Sequence, residues 1–107
     1  MLPKKQRAET KTIEKIFKKG DFFNSPNLTF RFIKTSQLGS PRISFIVPKG
    51  ISKSAVKRNL LRRHGYSALE KKIHEFPTGL IGAFVFKKFE SSVAVIGKDI
   101  NMIISKL

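Results

Sequence analysis

Between Lys49 and Arg63 the chain runs Lys-Gly-Ile-Ser-Lys-Ser-Ala-Val-Lys-Arg-Asn-Leu-Leu-Arg-Arg, six basic residues without one acid. From Phe22 to Leu69 there is no Asp or Glu, while Arg31, Lys34, Arg42, Lys49, Lys53, Lys57, Arg58, Arg62 and Arg63 all carry charge. Like charges held together repel and cost stability, so a block this one-sided points to a polyanionic partner, RNA or DNA first. The chemistry on offer is phosphate neutralisation, not bond breaking. Arginine suits it because a planar guanidinium makes paired hydrogen bonds to phosphate. A helix face that is merely solvated mixes in Glu for i,i+4 pairing, and none occurs here until Glu70.

Residues for proton transfer or metal binding are sparse. His64 and His74 stand ten apart with no carboxylate pair nearby, so they form neither an acid–base nor a metal constellation. Both suit surface or packing positions, with His64 able to add a contact to RNA. The seven acids are scattered, and Glu70 and Glu75 serve their own helix. Gly20 and Gly50 look like stop signals, not parts of a phosphate-cradling loop. The absence of cysteine removes thiolate nucleophiles, disulfides and Cys-based zinc sites, and fits a reducing cytoplasm. No catalytic residue, metal site or protein-bound cofactor is expected.

The 107 residues suit one domain, 1–107, large enough for a core without metal or disulfide staples. A hydrophobic content of 40% with ten Phe argues for a folded chain despite a net charge of +15. Met-Leu-Pro-Lys-Lys-Gln-Arg is followed by a charged segment, unlike a secretory signal. The longest apolar stretch, Leu80 to Phe86, is far short of a membrane span. The basic segment also lacks the broad apolar face that would lay it on anionic lipid, so no membrane partner is expected.

Thr10 or Thr12 can cap a helix to about Lys19, with Ile13, Ile16 and Phe17 on one side and Gly20 as its stop. Phe22-Phe23 begins extended structure. Leu28 to Ile33 alternates with period two, placing Leu28, Phe30 and Phe32 on one face and Thr29, Arg31 and Ile33 on the other. Gln37 to Pro41 has the composition of a hairpin turn returning through Arg42 to Val47, with Ile43, Phe45 and Val47 inward. A helix capped by Ser52 or Ser54 should run towards Glu75, though Gly65 weakens its middle by about 1 kcal/mol relative to Ala. Leu80 to Phe86 is apolar on both faces, which suits a central strand. After Ser91 or Ser92 the apolar residues Val95, Ile96, Ile100, Ile103, Ile104 and Leu107 recur at helical spacing. The order is αβββαβα, an α+β sandwich with helices packed on one sheet.

On the long helix Ala55, Arg62, Tyr66, Leu69 and Ile73 share a stripe, with Arg58 and Asn59 beside it. Its C-terminal half is ordinary core. Its N-terminal half carries arginines, whose unpartnered burial is expensive, so that end should overhang the sheet and present them at a rim.

The run Ala55-Val56-Lys57-Arg58-Asn59-Leu60-Leu61-Arg62-Arg63 resembles the signature helix of the bacterial ribonuclease P protein subunit. That pattern is Ala, two residues, Arg-Asn, a usually basic residue, an aliphatic, then two basic residues. The resemblance covers nearly the whole chain. Leu2-Pro3-Lys4 is similar to the family's start, and Ile13 to Gly20 to its first helix and stop. Arg42 to Lys49 resembles the strand entering the signature, and Leu80 to Lys88 the strand after it. The chain departs from the pattern at Leu60, usually basic, at His64-Gly65-Tyr66, and at Ile13, where many members carry an aromatic.

The resemblance implies a four-stranded mixed sheet with a left-handed strand–helix–strand crossover, against the usual right-handed rule. It implies a protein subunit of ribonuclease P, whose RNA subunit carries the catalytic Mg2+ and cuts the 5′ leader from precursor tRNA. Lys49, Lys53, Lys57, Arg58, Asn59, Arg62 and Arg63 would contact that RNA. A cleft lined by Ile13, Phe17, Thr29 and Arg31 would bind the single-stranded leader by stacking and backbone charge. Phe17 equally suits core packing, whereas Arg31 alternates out of a Phe-rich face. The protein would be a monomer in a 1:1 ribonucleoprotein. Charge and size also fit a basic ribosomal protein binding rRNA; a protein-only nuclease would need the clustered Asp/Glu/His site that this chain lacks.

Overall fold

In the computed structural model, which describes residues 18, 20–34 and 39–107, four strands form one sheet. They are β1 (Asp21–Asn24), β2 (Leu28–Lys34), β3 (Arg42–Ile46) and β4 (Leu80–Phe86), in the spatial order β1-β2-β4-β3. Helices α1 (Ala55–Glu70) and α2 (Val93–Lys106) pack on one face of it, giving the α+β architecture. The helix expected from Thr10 or Thr12 to Lys19 lies, apart from Lys18, outside the described residues.

The period-two pattern of β2 is realised: Leu28, Phe30 and Phe32 are buried against the helices while Thr29, Arg31 and Ile33 are half-buried on the opposite face. β4, apolar on both faces, lies inside the sheet, antiparallel to β2 and parallel to β3. This overturns the hairpin expected across Gln37–Pro41. β2 and β3 do not pair, because β4 lies between them. Gly79 N–H donates to Gly39 O at 3.0 Å, so the β2–β3 connection passes beside the start of β4. A strand with two apolar faces gains most from a neighbour on each side. A parallel β3–β4 pair in turn needs a long crossover, which α1 supplies.

Phenylalanines fill the space between sheet and helices. The rings of Phe30 and Phe84 lie 4.4 Å apart and those of Phe45 and Phe84 5.1 Å apart. Gly82 makes room for Phe30, whose ring Cζ would stand 2.5 Å from a Cβ at that position. From α2, Ile96, Ile100 and Ile103 complete the core. Asp99, on the same helix and buried, accepts from Ser25 Oγ at 2.8 Å and Asn27 N–H at 2.7 Å, tying α2 to the β1–β2 turn.

α1 stops at Glu70, short of the Glu75 expected. Ile73–Glu75 instead forms a 3-10 turn, and this change of direction brings Ile73 and Phe76 into the core.

Candidate nucleic-acid interface

The β3–α1 connection turns at Pro48, whose carbonyl accepts from Ile51 N–H at 3.0 Å, and leaves Lys49 and Lys53 exposed. Ser54 caps the helix: its hydroxyl accepts from Lys57 N–H at 3.3 Å, a bond type that stabilises a helix start by about 1 kcal/mol. Ser52 serves the same turn, its hydroxyl accepting from Ser54 N–H at 3.3 Å. The first turn of α1 holds no acid, although the positive end of the helix dipole favours one. Cations therefore reinforce the dipole where an anion would relieve it.

Leu61, Gly65, Tyr66, Ala68 and Leu69 are the buried residues of α1. Ala55 and Arg62, grouped by spacing with Tyr66 and Leu69, are exposed. The N-terminal half of the helix thus overhangs the sheet, as its arginines required. Gly65 closes on Phe45, whose ring Cδ1 would lie 2.6 Å from a Cβ there. Tyr66 stands edge-on to the same ring at 5.2 Å, and its hydroxyl accepts from Phe45 N–H at 3.2 Å. That amide belongs to an edge strand and needs a partner from outside the sheet.

Lys53, Lys57, Asn59, Arg62 and Arg63 are exposed on or beside the overhanging turns, with Lys49 just before them. Arg58 differs. It is half-buried and donates from Nη1 to Ser52 O at 2.8 Å, bracing the loop while its other N–H groups remain for a ligand. Arg62 Nη2 donates to Asn59 Oδ1, which orients that guanidinium along the helix surface. Among the described residues, Arg58, Arg62 and Arg63 meet no carboxylate.

Thr29 and Arg31 lie elsewhere, on the sheet face turned away from the helices. Thr29 Oγ1 donates to Asn24 Oδ1 at 2.7 Å across the β1–β2 pair. The Arg31 guanidinium lies 5.5 Å from the centre of the Phe22 ring, a cation–π contact on a phenylalanine that is 53% exposed. Ile13 and Phe17, the other leader-cleft residues, fall outside the described residues. Among the described residues, the sequence-predicted positions thus fall on two surfaces, one at the start of α1 and one on the sheet face turned away from α1 and α2.

Sequence reasoning passed over the β4–α2 loop. Because β3 and β4 are parallel neighbours, Lys87 and Lys88 emerge at the same end of the sheet as Lys49 and Lys53. His64 Nδ1 meets Ser91 O at 2.6 Å, which joins this loop to α1 one residue beyond Arg63. A carbonyl only accepts, so Nδ1 carries the proton. Among the described residues no three His, Cys, Asp or Glu gather in a group that could hold a metal ion.

Comparison with solved structures finds the same fold in bacterial RNase P proteins. The Thermotoga maritima RNase P protein is 18% identical, with a TM-score of 0.80 over 94% of this chain and 96% of that one. Two Staphylococcus aureus RNase P protein structures give TM-scores of 0.77 and 0.75 at 13% and 15% identity. They cover 92% and 99% of this chain and 91% and 92% of their own. Comparison with curated protein sequences returned no match. The family model described as Ribonuclease P matches residues 2–107. That match spans both surfaces and the sheet that separates them, and the chain accordingly belongs to the ribonuclease P protein family, the protein subunits of a tRNA-processing ribonuclease.

Proposed function

We propose that this chain binds the catalytic RNA of ribonuclease P through the start of α1 and the 5′ leader of precursor tRNA through the sheet face turned away from α1 and α2. The observation that carries the reading is the cluster of exposed cations Lys49, Lys53, Lys57, Arg62 and Arg63 around one helix start without an acid among them. Phosphates of the RNA subunit neutralise this cluster, and Arg58 and Asn59 set its geometry. On the sheet, Thr29 and Arg31, with Ile13 and Phe17, hold single-stranded leader through backbone charge and stacking, a combination that tolerates sequence variation. Cleavage belongs to the RNA subunit and its Mg2+; the protein contributes binding, charge screening and alignment. It acts in the cytoplasm as one copy per RNA.

The test is reconstitution. Purified protein is added to ribonuclease P RNA at low Mg2+, where phosphate repulsion is poorly screened, and leader removal is followed. Stimulation by the protein, with no cleavage by protein alone, is the expected result. Absence of stimulation sinks the reading and leaves an rRNA-binding role. Cleavage without RNA would relocate the chemistry into the chain.

A further inference from the structure

Single exposed apolar side chains are ordinary on protein surfaces, yet Phe89 in the β4–α2 loop is set apart by how it is held. Its ring is 49% exposed, and among the described residues it touches no other ring and no cation. Phe22, similarly exposed, lies beneath Arg31.

The chain is fastened on both sides of Phe89. Before it, Lys87 N–H donates to Asn27 O at 2.8 Å and Lys87 Nζ to Ser25 O at 3.1 Å. After it, Ser92 N–H donates to Glu90 Oε2 at 3.0 Å, and Ser91 O accepts from His64 Nδ1. The ring is therefore presented by a braced loop, and little backbone freedom is left to lose when something docks on it.

Its surroundings state the chemistry of the partner. Lys88 precedes it, exposed, and the loop bearing Lys49 and Lys53 leaves the neighbouring parallel strand at the same end of the sheet. The one nearby acid in the loop, Glu90, is turned onto the Ser92 amide. An exposed aromatic ring with one lysine beside it in the chain and others at the same end of the sheet is a combination that can stack a base and neutralise its backbone. The His64–Ser91 bond ties the ring's loop to α1, so the RNA in question is the one that α1 meets.

We propose that Phe89 is a preorganised platform on which an unpaired base of the ribonuclease P RNA stacks. This deepens the function proposed above and rests on it.

The chain contains no tryptophan, so Phe89→Trp supplies a single indole at the site. The variant is titrated with refolded ribonuclease P RNA, with binding followed independently by filter retention. Indole emission should be quenched in step with binding. Phe89→Ala should lose roughly 5-fold to 20-fold in affinity, the lower part of the range for base–aromatic stacking, with the salt dependence unchanged because no charge is removed. Phe89 lies outside the core, so both variants should keep wild-type circular dichroism and melting temperature.

Unchanged indole emission at saturation, with binding intact, overturns the platform and spares the function. Wild-type affinity in Phe89→Ala does the same. Quenching by a single-stranded leader oligonucleotide but not by the RNA subunit would move the site to the substrate and overturn the assignment. An emission change that grows with protein concentration in the absence of RNA would place a second copy of the chain there instead. Failure of the wild-type protein to bind the RNA at all removes the parent reading together with this one.

Discussion

Gly65 of α1 rests on the ring of Phe45, so close that a Cβ at position 65 would stand 2.6 Å from Cδ1 and 2.7 Å from Cε1. Helix propensity alone makes Gly65→Ala stabilising by about 1 kcal/mol. Packing opposes it, because the Phe45 ring is fixed between Tyr66, Phe84 and Phe86 and cannot swing away. Overpacking of this kind costs about 1–3 kcal/mol, so the variant should be less stable than wild type by roughly 1 kcal/mol or more. Urea unfolding followed by circular dichroism measures it. A stabilised variant would show that helix and strand are not in this contact. Combining it with Phe45→Leu should give a non-additive result, since the two changes share one contact.

The Tyr66 hydroxyl covers the Phe45 amide at the open edge of the sheet. Tyr66→Phe keeps the ring packing and removes that acceptor. A buried donor left without a partner costs about 1–3 kcal/mol. The cleaner readout is hydrogen exchange. The Phe45 amide should exchange much faster in the variant while amides of β4 keep their protection. Equal loss at both strands would mean that the substitution loosens the whole sheet and that the hydroxyl has no local role.

These contacts mark the limit of what the sequence could say. Local signals were sufficient where a residue answers to its near neighbours. The alternation of Leu28 to Ile33 placed Arg31 and Thr29 on the face opposite the core, and of the two serines that each helix start offered, Ser54 and Ser92 are the caps. The two apolar faces of Leu80–Phe86 were enough to put it inside the sheet. Which strands flank it was not legible, because pairing is decided by contacts far apart in the chain; nearness in sequence wrongly joined β2 to β3. Gly65 looked like a weakness for the same reason, since propensity registers the helix and not the ring across from it. The cations announced a polyanion through composition alone. The meeting of the Lys87–Phe89 loop with the Lys49–Lys53 connection was not legible, because it follows from β3 and β4 being parallel neighbours.

Asp99 should be a structural keystone. The residue is 3% exposed, and its carboxylate takes hydrogen bonds from Ser25 Oγ and Asn27 N–H and holds the β1–β2 turn onto α2. Asp99→Ala strands those donors and opens a small void, for an expected loss of about 2–4 kcal/mol. Ser25→Ala, which removes one partner, should cost less, and the double variant should cost less than the sum. Additive losses in the unfolding midpoints would show that the two groups do not share a network.

Exposed cations make the RNA affinity a function of salt. With about six phosphates met by Lys49, Lys53, Lys57, Arg58, Arg62 and Arg63, log K against log salt should fall with a slope near −4 to −5. Lys57→Ala should make that slope shallower by about one unit. Filter binding across a salt series measures both. A wild-type slope near −1, about what a single phosphate contact gives, would remove α1 from the interface.

The two surfaces should also separate by substrate. Arg58 sits at the start of α1, bonded to Ser52 O, and Arg31 on the sheet face over Phe22. Arg58→Ala should weaken binding to the RNA subunit by roughly 10-fold, the loss of one charge-assisted contact of about 1.4 kcal/mol. Arg58→Lys should recover only part of it, because an ammonium cannot reach Ser52 O and a phosphate with the same fork. Arg31→Ala should leave RNA-subunit affinity near wild type and reduce the preference of the assembled particle for precursor over mature tRNA, since the leader is what distinguishes the two. Binding of both tRNAs to particles carrying each variant decides the matter. If Arg58→Ala and Arg31→Ala lower the same affinities in the same proportion, the face of β2 and the start of α1 belong to one interface, and leader recognition must be sought on another part of the chain.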